Sequence, residues 1–197
     1  GFEYLASLEL TEHGRPIIEA LRDSAGYSAH LVIRDGREVV FVSKAAGRSA
    51  LFHSIQVGAR LPAHATVLGR VLLGGVTAQE LATLYEDCPL KAHTPTTPTT
   101  PAALQTAIEI DAKRGWGISQ GGFEAGISTI AAPVFNERQK VCAAISVTVP
   151  ASRIDLAQAE TLVAYVRDAA SALSQRLSHL PSYPNQRHPQ TARRVQT

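Results

Sequence analysis

The chain has 197 residues, 45% of them hydrophobic and 18% charged, a length and balance that support one buried core and exclude a wholly disordered chain. Its net charge is only +2, and several basic residues crowd the C-terminal run NQRHPQTARRVQT, so the folded part is near neutral and weakly suited to gripping nucleic acid. Cys88 and Cys142 stand far apart without a CxxC partner, which speaks against a disulfide framework or a structural zinc site. With no apolar run of about 18 residues and no signal-peptide pattern, neither membrane spanning nor secretion is indicated, and a reducing cytoplasm is the simplest setting.

In chain order, Ile17, Ile18, Leu21 and Ala25 recur at helical spacing and predict a helix that ends at Gly26. Tyr4, Leu5, Leu8 and Leu10 suggest an earlier helix before it. The run SAHLVIRDGREVVFVSK reads as two strands about an Asp35-Gly36 turn, and SALFHS as a third strand. Thr77 is placed to cap a short helix over AQELATLYE, and the Thr- and Pro-rich stretch DCPLKAHTPTTPTT reads as an exposed connection. Thr100 and Pro101 form an N-cap and first-turn pair for a helix that runs through Arg114 and stops at Gly115. Then come WGIS as a strand, QGGFEAG as a glycine-rich flap, and ISTIAAPVF and KVCAAISVTV as a hairpin joined through NERQ. An amphipathic helix from about Asp155 to Leu180 closes the domain, and the tail after Pro181 is expected to be disordered. Hairpins interleaved with helices, without βαβα alternation, predict an α+β fold on a mainly antiparallel sheet.

Two features carry chemistry. If the late hairpin turns about Glu137 and Arg138, Thr129 faces Ser146. Alternation then adds Cys142, Ala144 and Thr148 to that small, hydroxyl-bearing face, and places Val141, Ala143, Ile145, Val147 and Val149 on the other. Such a face either lets a helix pack closely or floors a cavity with hydrogen-bonding groups. The second feature is LPAHATVLGR, where a helix starting near Thr66 leaves the amides of Val67 and Leu68 without intrahelical partners. They can grip a carboxylate, unless the Thr66 hydroxyl caps them. Gly69 permits close approach of another backbone.

Other candidates are weaker. His64 and His53 lack any HxxxH or HExxH spacing and have no acidic ligand beside them, so a metal is not expected and His64 is read as fixing its loop by a hydrogen bond. Cys142, mid-strand among alanines, reads as inert core. The glycines of QGGFEAG do not lead from a strand into a helix and form no dinucleotide fingerprint.

Taken in order, LPAHATVLGRVLLG, KRGWGISQGGFEAGISTIAAPVF and VCAAISVTVPASR resemble the C-terminal effector-binding domain of the IclR family of bacterial transcription regulators, over about Ala20 to Leu180. The resemblance implies a GAF-like fold with a curved antiparallel sheet between helices. It also implies a ligand site for a small organic acid, no cofactor and no catalytic activity. It divides the chain into a linker-helix region at 1–19, an effector-binding domain at 20–180 and a disordered tail at 181–197. DNA would be bound only through a separate N-terminal winged helix-turn-helix, and the partners implied are a small carboxylate effector and further copies of the chain, as homodimer or tetramer, with no membrane.

Carried over residue by residue, the resemblance places the effector carboxylate on the amides of Val67 and Leu68, with Ser119, Thr129, Ser146 and Thr148 in the pocket. Ser119 stands where family members that take small oxo-acids often carry an acid, and Glu124 in the flap could partly replace it. An apolar or aromatic ligand body is therefore expected, lined by Leu68, Ile118 and Ile130 or their neighbours. The rival readings are a GAF-like enzyme using Cys142 or His64 with Ser146, and a structural oligomerisation module whose small-residue face serves packing alone.

Overall fold

The computed structural model describes residues 2–48, 55–120, 126–151 and 155–180, with side chains from residue 7 onward and excepting that of Gln120. The anticipated strand SALFHS, most of the QGGFEAG flap including Glu124, His53 and the C-terminal tail lie outside the described residues.

The chain opens with α1 (Phe2–Ala25), a single helix where two were expected. Pro16 sits inside it without ending it. A proline removes one amide donor and crowds the preceding turn, and here tertiary packing offsets that cost: Leu10, Ile18 and Leu21 are buried in the core against the sheet and the last helix. Gly14 lies so close to the sheet that a Cβ there would meet the Leu31 side chain at 2.7 Å. Gly26, at φ 80°, ends the helix, its amide bonded to the Arg22 carbonyl.

The strands β1 (Ser28–Asp35) and β2 (Glu38–Ala45) form the expected hairpin, with Gly36 at φ 59° in its two-residue loop. After β3 (Arg60–Pro62) and one 3-10 turn, Ala63–Ala65, come α2 (Val67–Leu72) and α3 (Ala78–Leu84). Thr77 caps α3 by accepting from the Glu80 amide. Thr100 accepts from the Ala103 amide to start α4 (Pro101–Arg114), which Gly115 ends at φ 83°. The chain then forms β4 (Gly117–Gln120), β5 (Ile127–Phe135), β6 (Val141–Pro150) and α5 (Leu156–Ser178), the last capped by Asp155.

The six strands make one antiparallel sheet in the order β3-β2-β1-β6-β5-β4. α1 and α5 cover one face, over Ile130, Val134, Ile145 and Val147. The other face carries α2, α3 and α4 over Val32, Val39, Phe41, Ala131 and Ala144.

The late hairpin differs in register from the expectation. Its loop is longer than a turn at Glu137 and Arg138 would make it, with Asn136 and Lys140 hydrogen-bonded across it and Gln139 at φ 59°. Thr129 consequently pairs with Thr148, and Ala131 with Ser146. A shift of two residues leaves every side chain on its face, so Thr129, Ser146 and Thr148 still share one side. A bulge between Val134 and Phe135 does change faces. It turns Cys142 toward the α1/α5 core and Val141 toward α2, the reverse of strict alternation.

Candidate functional site

Across the sheet, Ser119 pairs with Thr129, Thr129 with Thr148, and Thr148 with Ser28. This sets four hydroxyls in one row over four strands on the face beneath α2. Ser28 is already engaged, accepting from the Gly47 amide at 2.9 Å. The other three line a cavity of about 40 Å³ together with Phe41, Ile55, Leu61, Thr66, Val67, Leu68 and Ile127, space for about three water molecules. Of the six residues placed in the pocket from sequence, Val67, Leu68, Ser119, Thr129 and Thr148 meet at this cavity. Ser146 lies one row deeper, buried, with no hydrogen-bond partner for its hydroxyl among the described residues. Ile118 and Ile130 belong to the α1/α5 side. Alternation from Ser119 and Thr129 requires this, and the apolar lining comes from Phe41, Ile55, Leu61 and Ile127.

The start of α2 settles what Thr66 caps. Its hydroxyl accepts from the Gly69 amide at 3.1 Å and donates to the Pro62 carbonyl at 3.1 Å. The cap is spent on the third amide of the helix and leaves the N–H groups of Val67 and Leu68, two residues that line the cavity, outside it. In a helix of six residues the macrodipole is short, so attraction for an anion rests on these two donors.

Two contacts fix where α2 sits. A Cβ on Gly69 would overlap the Ala63 backbone, so only glycine lets the helix rest directly on the preceding 3-10 turn. From the other end, Arg70 donates to the buried carboxylate of Asp111 at 2.9 Å, and Arg114 reaches the same carboxylate at 3.0 Å while stacking over Trp116 at 4.0 Å. Gly117 leaves room for this, since a Cβ there would press on Val67 and on Asp111. α2, α4 and the edge strand β4 are thus locked around one acid.

The candidates read as weaker from sequence fall away on geometry. His64 donates from Nε2 to the Lys91 carbonyl at 2.8 Å, tying the 3-10 turn to the connection before α4. Cys142 is on the opposite side of the sheet from Ser146, its thiol pushed up to about 11 by burial and engaged on the Val134 carbonyl. Among the described residues no three His, Cys, Asp or Glu side chains cluster to hold a metal ion.

One residue on this face escaped the sequence reading. His30 pairs with Ser146 across β1 and β6, is 1% exposed, and has no partner at either ring nitrogen among the described residues. Burial, and then the charge of Lys44, push its pKa down to about 4, so the ring is neutral near pH 7. The available signal was a histidine inside an otherwise aliphatic strand. Its meaning depends on pairing with a strand more than a hundred residues away.

A sheet with helices on both faces and a cavity under a short helix, lined by three hydroxyl residues and the first two residues of that helix, belong to an α+β domain with room for a small ligand. The family described as bacterial transcriptional regulator IclR C-terminal matches residues 2–175, and the chain belongs to this family as the effector-binding C-terminal domain of an IclR-type regulator. It is 31% identical over 179 residues to the HTH-type transcriptional regulator XynR of Escherichia coli K12, covering 91% of this chain and 71% of XynR. The C-terminal domain of the E. coli transcriptional regulator KdgR superposes with a TM-score of 0.77 at 25% identity, covering 86% of this chain and 99% of that domain. The Thermotoga maritima IclR structure gives 0.79 at 24% identity over 86% of this chain and 69% of that one, a likeness of fold. These relatives are transcriptional regulators rather than enzymes. Among the described residues no helix is long and apolar enough to cross a membrane.

Proposed function

We propose that this domain senses a small monocarboxylate, held with its acid group on the Val67 and Leu68 amides and its apolar body against Phe41, Ile55, Leu61 and Ile127. The observation that carries the reading is that one cavity is lined both by Val67 and Leu68, whose amides the Thr66 cap does not use, and by the hydroxyl residues Ser119, Thr129 and Thr148. A carboxylate has several acceptor sites and satisfies such convergent donors better than a neutral group does. The cavity as it stands suits an acid of a few heavy atoms, and an aromatic body would require the apolar wall to open. Occupancy of this site would bias a dimer or tetramer between two states and so alter DNA binding by an N-terminal domain.

Backbone donors are tested by removing one. Val67 is the first residue of α2, where proline is tolerated, and Thr66 at φ −123°, ψ 150° already has the extended backbone that a following proline demands. Val67→Pro is expected to leave the fold in place and weaken carboxylate binding by about 1.5–3 kcal/mol, the range for a hydrogen bond to a charged group. At about a hundred times its dissociation constant, a bound acid stabilises the unmodified protein by roughly 2.7 kcal/mol. A panel of aliphatic and aromatic acids that produces no thermal shift, or a Val67→Pro variant that binds as before, would overturn the reading.

A further inference from the structure

At its start α2 lines the cavity through Val67 and Leu68. Two residues on, Arg70 leaves the helix for the protein interior, where its Nε donates to Asp111 Oδ2 at 2.9 Å and its other arm reaches the Ile118 carbonyl at 3.5 Å. The Asp111 side chain is 5% exposed and that of Arg70 19%, so solvent screens the pair little. Its two acceptors lie on α4 and β4, and Ser119, the residue after Ile118, is back at the cavity. Gly117 marks how closely these parts meet. A Cβ there would stand 2.6 Å from the Val67 side chain and 2.9 Å from the Asp111 carboxylate, so the first residue of α2 and the acid crowd the same point.

We propose that Asp111 is the positioning residue of the carboxylate site: acting through Arg70, it holds α2 where Val67 and Leu68 meet the cavity, and so sets the affinity for the acid. The inference rests on the carboxylate reading above. Apolar burial is non-directional and lets a short helix slide on the sheet at little cost, whereas a charge-assisted hydrogen bond fixes distance and direction. Hydrogen bonds to a ligand weaken steeply with misalignment, so a small slide of α2 costs binding while the core beneath it stays buried. Arg114 separates this role from plain stabilisation. It bonds the same carboxylate at 3.0 Å, donates to the Trp116 carbonyl at 2.8 Å and stacks over the Trp116 ring, partners that all lie outside α2.

The test follows butanoate binding by titration calorimetry, and stability by urea denaturation, in the unmodified chain, Arg70→Gln and Arg114→Gln. Arg70→Gln releases α2 while Asp111 keeps Arg114 as its ion-pair partner, so the variant is expected to fold. It should bind butanoate about tenfold more weakly, the scale of one hydrogen bond to a charged group. Arg114→Gln gives up an ion pair, a hydrogen bond and the stacking, and should lower stability at least as much, yet bind butanoate within about twofold of the unmodified protein. Asp111→Asn should weaken binding as Arg70→Gln does, with the double variant no weaker than either single one, and it serves if Arg70→Gln does not fold. An acid that only stabilises the fold does not produce this split, because affinity would then fall in step with stability in both arginine variants. That parallel fall, or an Arg70→Gln variant that binds as tightly as the unmodified protein, overturns the positioning role and leaves the carboxylate site standing. Failure of the unmodified protein to bind butanoate overturns the carboxylate reading for acids of this size and the positioning role with it.

Discussion

On the side of α1 and α5, the strands present Ile130, Val134, Ile145 and Val147, and the helices answer with Ile18, Leu21, Val166 and Leu173. On the side of α2, α3 and α4, the same strands alternate to Ser119, Thr129, Ser146, Thr148 and His30. The polar atoms of His30 and Ser146 that have no partner among the described residues both lie on this second side, where burial also pushes the Tyr85 phenol up to about 12. A face built for stability alone would have no use for such atoms, since replacing them with apolar ones costs nothing and can stabilise. One sheet thus has a wholly apolar core on one side and, on the other, an apolar core interrupted by buried polar groups, and strand alternation is what makes the separation possible.

Substitutions on the two sides should therefore have opposite signatures. The largest effect is expected from Leu173→Ala, a fully buried residue of α5, which should lower stability by about 3–4 kcal/mol in urea denaturation. Acid affinity of the folded variant should not change, and a loss of binding there would show that the faces are coupled. Next in size is the acid response of His30. The unfolded chain takes up this proton near pH 6.5 and the folded protein only near pH 4. Stability should be unaffected above that window and fall as pH drops through it, by up to about 3 kcal/mol from this group. His30→Leu should flatten the slope between those limits, and an unchanged slope would mean that the ring is charged in the fold. The smallest effect belongs to Ser146→Ala and Thr148→Val, each expected to weaken binding of an acid that contacts it by about 0.5–1.5 kcal/mol while stability barely moves. A clear drop in melting temperature for Ser146→Ala would reveal a partner for its hydroxyl and make this side resemble the other.

Local chemistry made much of this legible in the sequence. Thr77 and Thr100 cap the helices they were expected to cap, Gly26 and Gly115 end theirs, and the last helix begins within a residue of the expected Asp155. A hairpin whose register was placed two residues wrong still put Thr129 and Thr148 on the correct face, because alternation tolerates even shifts. What escaped was non-local. The bulge that exchanges Val141 and Cys142 depends on how the hairpin bends against the helices. That α1 runs unbroken through Pro16, where two helices were expected, also escaped, because propensity carries no information about the sheet on which α1 lies. His30 acquires its significance only beside Ser146, through a strand pairing that no periodicity in either segment announces.

Gly69 carries a consequence for how this chain can change. Side chains at Phe41, Leu61 and Ile127 shape the cavity wall and can be exchanged for others of different size, so under the proposed function ligand preference would have room to drift there. The seat of α2 has no such room, because any side chain at position 69 collides with the Ala63 backbone rather than with a movable group. In a saturation library the position should be as intolerant as the deepest core residue although it has no side chain to bury. Descendants of this sequence that acquire new effectors should then differ along the wall while the two amide donors ahead of Gly69 stay where they are.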